Sequence, residues 1–344
     1  GSEMCIRDRW ITCRMTHVYS IGSMLGHEGS EALVDAALKG IRGELHDDKN
    51  GGWYAGLTKD GEIVPTKQCY AHAFVILAAT SGILAGREGA KELLEDALKV
   101  YDLRFWNEEE GLSCDTWNTE FTILDDYRGL NANMHTVEAF LAVADATGNE
   151  TYRWRAGRII DHVLTWANHN DWRIPEHFRK DWTPDLDCNK DHPDDPFKPY
   201  GATPGHGIEW ARLITQWAYS MKDTTEDTTP IEKYVTAAES LYQRAIKDAW
   251  NADGAPGIVY TTDWQGNPVV HDRMHWTLAE AINTSAVLWH VTHKQQYADD
   301  YAMFLRYLDE QVLDHIHGSW YHQLDAAGNV LTLSLIHISE PTRH

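Results

Sequence analysis

Ten segments of this chain repeat apolar residues at helical spacing, and short glycine–aromatic elements separate them in pairs. In Glu88–Phe105 the apolar positions are Leu93, Leu94, Ala97, Leu98 and Tyr101. In Asn133–Ala146 they are Met134, Val137, Phe140, Leu141 and Ala144, and after His206 they are Ile208, Trp210, Leu213, Ile214 and Trp217. No long alternating pattern competes, so the spacing predicts helices over roughly 10–25, 29–45, 68–86, 88–106, 132–147, 150–167, 205–221, 231–250, 273–292 and 296–315. The separators are Gly51-Gly-Trp-Tyr54, Gly111–Trp117, Trp172-Arg-Ile-Pro175, Gly257-Ile-Val-Tyr260 and Gly318-Ser-Trp-Tyr321, which suit tight turns and small β-hairpins. Helical hairpins in series bury their faces only by stacking on neighbours. The pattern therefore predicts an all-α toroid of hairpins lacking about one helix at each end, or a superhelical stack left open.

The interval between Trp172 and Gly257 is the longest and holds an Asp- and Pro-rich insert, Lys180–Thr203, which reads as a long loop: a lid or a solvated excursion. With 30 Lys and Arg against 52 Asp and Glu, the net charge of −22 disfavours nucleic acid and anionic membranes as partners. No stretch is apolar enough to span a bilayer, and Gly1–Arg9 has no apolar signal core. Five cysteines form no CxxC pair, which points to a reduced, cytoplasmic setting without a zinc site or disulfide frame. Fifteen tryptophans can fill a core or line a wide aromatic cleft of the kind that stacks sugar rings.

Residues 1–9 and 334–344 carry no clear periodicity and resemble read-through of sequencing-adapter DNA. Residues 10–333 are thus expected to form one incomplete catalytic domain.

Polar residues collect where alternate helices begin: Arg14 and His17, Tyr70 and His72, Asn131 with His135 and Glu138, His206 with Glu209, then His275 and Glu280. If these helices share a direction, one mouth gathers these groups, and its N-terminal dipoles favour developing negative charge. Thr203-Pro204-Gly205-His206 reads as a helix start with Thr203 as N-cap. His206 and Glu209 share a face, as do His135 and Glu138, and a carboxylate beside an imidazole fixes its tautomer and raises its basicity. A structural His–Glu contact is the plainer alternative. HxxE without a second His, and no glycine-rich loop after a strand, leave metal and nucleotide cofactors unsupported.

The runs Trp10-Ile-Thr-Cys-Arg14, Arg128-Gly-Leu-Asn131-Ala-Asn-Met-His135, Tyr200–Trp210 and Gly318-Ser-Trp-Tyr-His322-Gln-Leu-Asp resemble the N-acylglucosamine 2-epimerase superfamily, in particular its aldose–ketose isomerase branch. The resemblance runs from Trp10 to about Leu333. It implies an (α/α)6 barrel and a metal-free sugar isomerase of the mannose–fructose or sulfoquinovose type. In that branch two histidines open the ring and move a proton between C2 and C1 through a cis-enediol. His206 matches one of them and Glu209 the carboxylate beside it. Trp10, Arg14, Tyr70, Asn131, His135, Phe197, Glu280 and His322 match residues that bind the sugar. The second catalytic histidine belongs to a last inner helix that the final residues replace, and neither His337 nor His344 takes its place. The chain as written is therefore expected to be inactive, and poorly soluble or homo-oligomeric through a seam exposing Ile11, Val18, Phe304 and Leu308. Rivals are an N-acylglucosamine or cellobiose 2-epimerase, a glycoside hydrolase using Asp125, Asp126 or Glu209, and a non-catalytic sugar-binding fragment.

Overall fold

A computed structural model of the chain describes residues 7–58, 62–222 and 229–331. Ten α-helices lie among the described residues, and each matches a segment with helical periodicity. They are α1 (Arg9–Met24), α2 (Ser30–Arg42), α3 (Cys69–Leu84), α4 (Ala90–Arg104), α5 (Leu130–Thr147), α6 (Glu150–His169), α7 (Pro204–Ser220), α8 (Thr229–Ala249), α9 (His275–Thr292) and α10 (Gln295–Tyr307). They fall into two compact units divided after Asp161, inside α6, with Phe178–Thr183 grouped with the first.

In the first unit α3 packs against α1 and α5, while α2 covers α1 and α4 covers α3. The sequences of α3 and α4 show why. Residues from Ala71 to Gly82 of α3 are all buried, as suits a helix apolar all round with neighbours on several sides. On α4 only the stripe Ala90, Leu93, Leu94, Ala97 and Tyr101 is buried, so it forms the outer layer. The second unit repeats the scheme: α7 packs on α9, with α8 against α7 and α10 against α9. Helix α7 is buried almost throughout from Pro204 to Thr215.

Four of the five separators form the small antiparallel elements that their glycines suggest, and Trp172-Arg-Ile-Pro175, which has no glycine, forms none. His46 bridges Trp53, Trp106–Asn107 pairs with Leu112–Ser113, Trp250 bridges Ile258, and Leu313 bridges Trp320. Their glycines take left-handed conformations, with φ of 77° at Gly51, 69° at Gly111 and 81° at Gly318. The insert keeps its irregular course, and Trp264 Nε1 donates to Leu186 O at 2.7 Å to hold it against the hairpin Thr261–Val270.

Of the four residues expected at a seam, two are exposed, Leu308 is half-buried and one is buried. Ile11 and Val18 are exposed, whereas Phe304 is fully buried, its ring 5.1 Å from that of Trp250. Packing of α10 against Trp250, the residue that follows α8, covers that side chain. Residues 334–344, with His337 and His344, lie outside the described residues. Among the described residues no helix is long and apolar enough to cross a membrane.

Candidate active site

Helix α7 begins as its sequence suggests, with Thr203 extended and Pro204 in the first turn. Thr203 occupies the N-cap position, but its side chain makes no capping bond, and its buried Oγ1 has no partner among the described residues. Gly205 lets α7 approach α9 closely, because a Cβ there would lie 2.7 Å from Thr277 and from Trp276. That approach sets the His206 ring 5.2 Å from the Trp276 indole, tilted by 33°. Tyr260 packs edge-on against the same indole at 6.3 Å, and its phenol is pushed up to about 12, by burial first and then by Glu176 and Asp195.

The carboxylate that holds His206 is Glu176, whose Oε2 lies 3.0 Å from Nδ1. This corrects the expectation drawn from the HxxE spacing. Glu209 is buried, but 3.5 Å from Nη2 of Arg212, while Arg212 Nε donates to Glu280 at 2.9 Å. The guanidinium one turn further along α7 thus draws Glu209 and Glu280 to itself. Burial disfavours the imidazolium of His206, but the hydrogen-bonded Glu176, then Glu209 and Glu280 through space, outweigh it and raise its pKa above the ordinary value. With Nδ1 committed, Nε2 is the nitrogen left for proton transfer.

In the first unit the expected residues do come together. His135 Nδ1 pairs with Glu138 Oε2 at 3.0 Å, so the second HxxE pair forms as its spacing suggests. Tyr70 lies edge-on to His135 with ring centres 5.0 Å apart, and Arg14 donates from Nη2 to the Tyr70 hydroxyl at 3.1 Å. Arg14 also covers Phe74 at 4.5 Å and Trp10 at 5.4 Å. Asn131 stands at the start of α5, and its Oδ1 is buried without a partner among the described residues, as is Arg14 Nε. His17 pairs with Ser81 at 2.8 Å, and burial lowers its pKa against the pull of Glu138. His72 leaves this group for the core. Trp53 N donates to its Nε2 at 3.2 Å, its Nδ1 meets Gln68 O at 2.7 Å, and burial holds it neutral.

Elsewhere in the second unit, His322 lies beside His275 with ring centres 4.8 Å apart. Its Nδ1 is buried without a partner among the described residues, and burial lowers its pKa. Phe197, expected as an aromatic wall, is 86% exposed. Asp195 accepts from the backbone N–H groups of Phe197 and Lys198 and turns the loop so that the ring faces solvent. Sequence reasoning missed Glu176, Tyr260 and Phe74. Phe74 lies one helical turn past Tyr70 and was within reach of the pattern. Glu176 lies thirty positions before its partner in an irregular segment, and no periodicity marks it.

The family model for N-acylglucosamine 2-epimerase matches residues 3–337, and the chain belongs to that family. It is 42% identical over 318 residues to a D-mannose isomerase of Thermobifida fusca, covering 92% of this chain and 77% of that protein. It is 40% identical over 315 residues to a D-mannose isomerase of Pseudomonas cannabina pv. alisalensis, covering 91% and 75%. A crystal structure of D-mannose isomerase superposes with a TM-score of 0.88 at 26% identity, over 95% of this chain and 82% of that one. The cellobiose 2-epimerase of Spirochaeta thermophila shares the fold at a TM-score of 0.80 and 17% identity, over 95% and 80%. The all-α fold read from the hairpin repeat, of the (α/α)6 type that the resemblance implies, is thus the fold of its relatives.

Proposed function

We propose that this protein is an aldose–ketose isomerase that interconverts D-mannose and D-fructose. In the reaction a base takes the proton from C2 of the open-chain aldose. The C–H electron pair becomes the C1=C2 bond of a cis-enediol as the C1 oxygen gains a proton. A proton then returns to C1 while the C2 hydroxyl gives up its own and becomes the ketone. His206 is the acid–base group assigned here, because its Nε2 is the nitrogen that Glu176 leaves available. Trp10, Arg14, Tyr70, Asn131 and His135 are assigned to sugar binding, with Glu280 and His322 in the second unit.

The observation that carries the reading is a pair of orphaned polar atoms among the residues of the first unit assigned to sugar binding. In the first unit Arg14 Nε and Asn131 Oδ1 are buried without a hydrogen-bond partner among the described residues. Buried polar groups are normally satisfied, and a polyhydroxylated ligand supplies both donors and acceptors. The D-mannose isomerases at 42% and 40% identity favour mannose as that ligand. The test is incubation of the chain with D-mannose and chromatographic separation of the products. Fructose appearing in proportion to enzyme supports the reading and overturns the expectation that the chain as written is inactive. Glucose without fructose would replace it with a 2-epimerase, and unchanged mannose would remove it.

A further inference from the structure

We propose that Glu176 is a positioning residue for this reaction: it holds His206 in the tautomer with the proton on Nδ1, so that Nε2 faces the sugar as the proton acceptor. The inference rests on the assignment of His206 as the acid–base group and adds the residue that sets its state.

Three observations carry it. The contact is direct, 3.0 Å from Glu176 Oε2 to His206 Nδ1, and both side chains are largely buried at 5% and 16% exposure. Among the described residues, His206 is the hydrogen-bond donor that the structure gives Glu176, since Oε1 has none. A carboxylate so placed is stable only when its one donor keeps a proton on the shared side, so Nδ1 stays protonated. Finally, the backbone around Glu176 is pinned on both sides. Arg173 grips Asp248 at 2.7 Å just before it, and His177 Nε2 meets Pro199 O at 2.9 Å just after it. Glu176 therefore reaches His206 from a fixed mount.

The other groups packed around α7 do not substitute for it. Glu209 of α7 and Glu280 of α9 are both engaged by Arg212. On α8, Arg244 and Asp248 are tied to Asp171 and Arg173. Trp276 of α9 offers the imidazole a ring face, and Tyr260 packs behind that indole with its proton firmly held.

Glu176→Gln in the full chain tests this. Its amide can present N–H to Nδ1 and so stabilise the opposite tautomer, with the proton on Nε2, where it blocks proton abstraction. Nitrogen NMR of histidine-labelled protein, with His206→Asn for assignment, should show the Nδ1–H tautomer in the parent and its loss in the variant. Turnover of mannose should fall by about 10²–10⁴-fold, the range for a lost acid–base group, with KM changed by less than about threefold. Glu176→Asp, which keeps the acceptor, should recover part of kcat, and circular dichroism of both variants should match the parent. An unchanged His206 tautomer in Glu176→Gln, or kcat within about threefold of the parent, overturns the proposal. The NMR arm needs no sugar. Should the parent leave mannose untouched while Glu176→Gln still flips the tautomer, the mannose reading fails and the Glu176–His206 assignment stands.

Discussion

Arg212 Nε lies 2.9 Å from Glu280 Oε2, joining helices α7 and α9 through two residues 68 positions apart. The same guanidinium reaches Glu209 at 3.5 Å, and the exposure of the three side chains is 8%, 21% and 6% for Arg212, Glu280 and Glu209. Removing one partner of such a group strands the others. Arg212→Met is expected to destabilise the protein by about 3–5 kcal/mol. The combined change with Glu280→Gln should cost less than the sum of the two single changes. Urea denaturation midpoints of the four proteins measure this, and strict additivity would show that the bridge carries no coupling.

His206→Ala should lose about 10²–10⁴-fold in mannose turnover while keeping the fold. Steady-state rates beside a far-ultraviolet dichroism spectrum test it. A variant that turns over near the parental rate with an unchanged spectrum would take His206 out of the mechanism.

The pH profile follows from the raised pKa of His206. A general base works unprotonated, so activity should climb as pH rises through that pKa, with the acid limb centred above about 6.5, the ordinary histidine value. Stability runs the other way. The stabilisation from the charged pair is complete below about 6.5 and fades as pH rises through the raised value. A kcat/KM profile whose acid limb lies below the ordinary value would contradict the influence of Glu176.

Gly205→Ala puts a methyl 2.7 Å from both Trp276 and Thr277, too close for any real contact. The expected result is a loss of about 1–3 kcal/mol from overpacking, with a drop in kcat as His206 shifts against the indole. Calorimetric melting read alongside kcat tests it. An unchanged melting temperature would mean that α7 and α9 can part there without cost.

Tyr70→Phe removes the hydroxyl that accepts from Arg14 at 3.1 Å but leaves the ring against His135. For residues assigned to binding, KM for mannose should rise several-fold with little change in kcat. A fall in kcat at constant KM would instead place Tyr70 in the chemistry.

The helices, their pairing and the glycine-led separators were legible in the chain because they depend on local periodicity and on backbone conformations that only certain residues adopt. The His135–Glu138 pair was legible for the same reason, since three residues along a helix fix the geometry. The environment of His206 was not. Its local partner by spacing, Glu209, is claimed by Arg212, and its actual partner, Glu176, comes from a non-helical segment whose course is set by the Arg173–Asp248 ion pair and the His177 contact with Pro199. His72 shows the same limit: it shares the first turn of α3 with Tyr70, yet the backbone of Trp53 and Gln68 takes it into the core. Sequence determined which side chains share a helix face. Only the packing of helix on helix and loop on helix decided which carboxylate meets which imidazole, because a charged group's partner is chosen by three-dimensional proximity and burial.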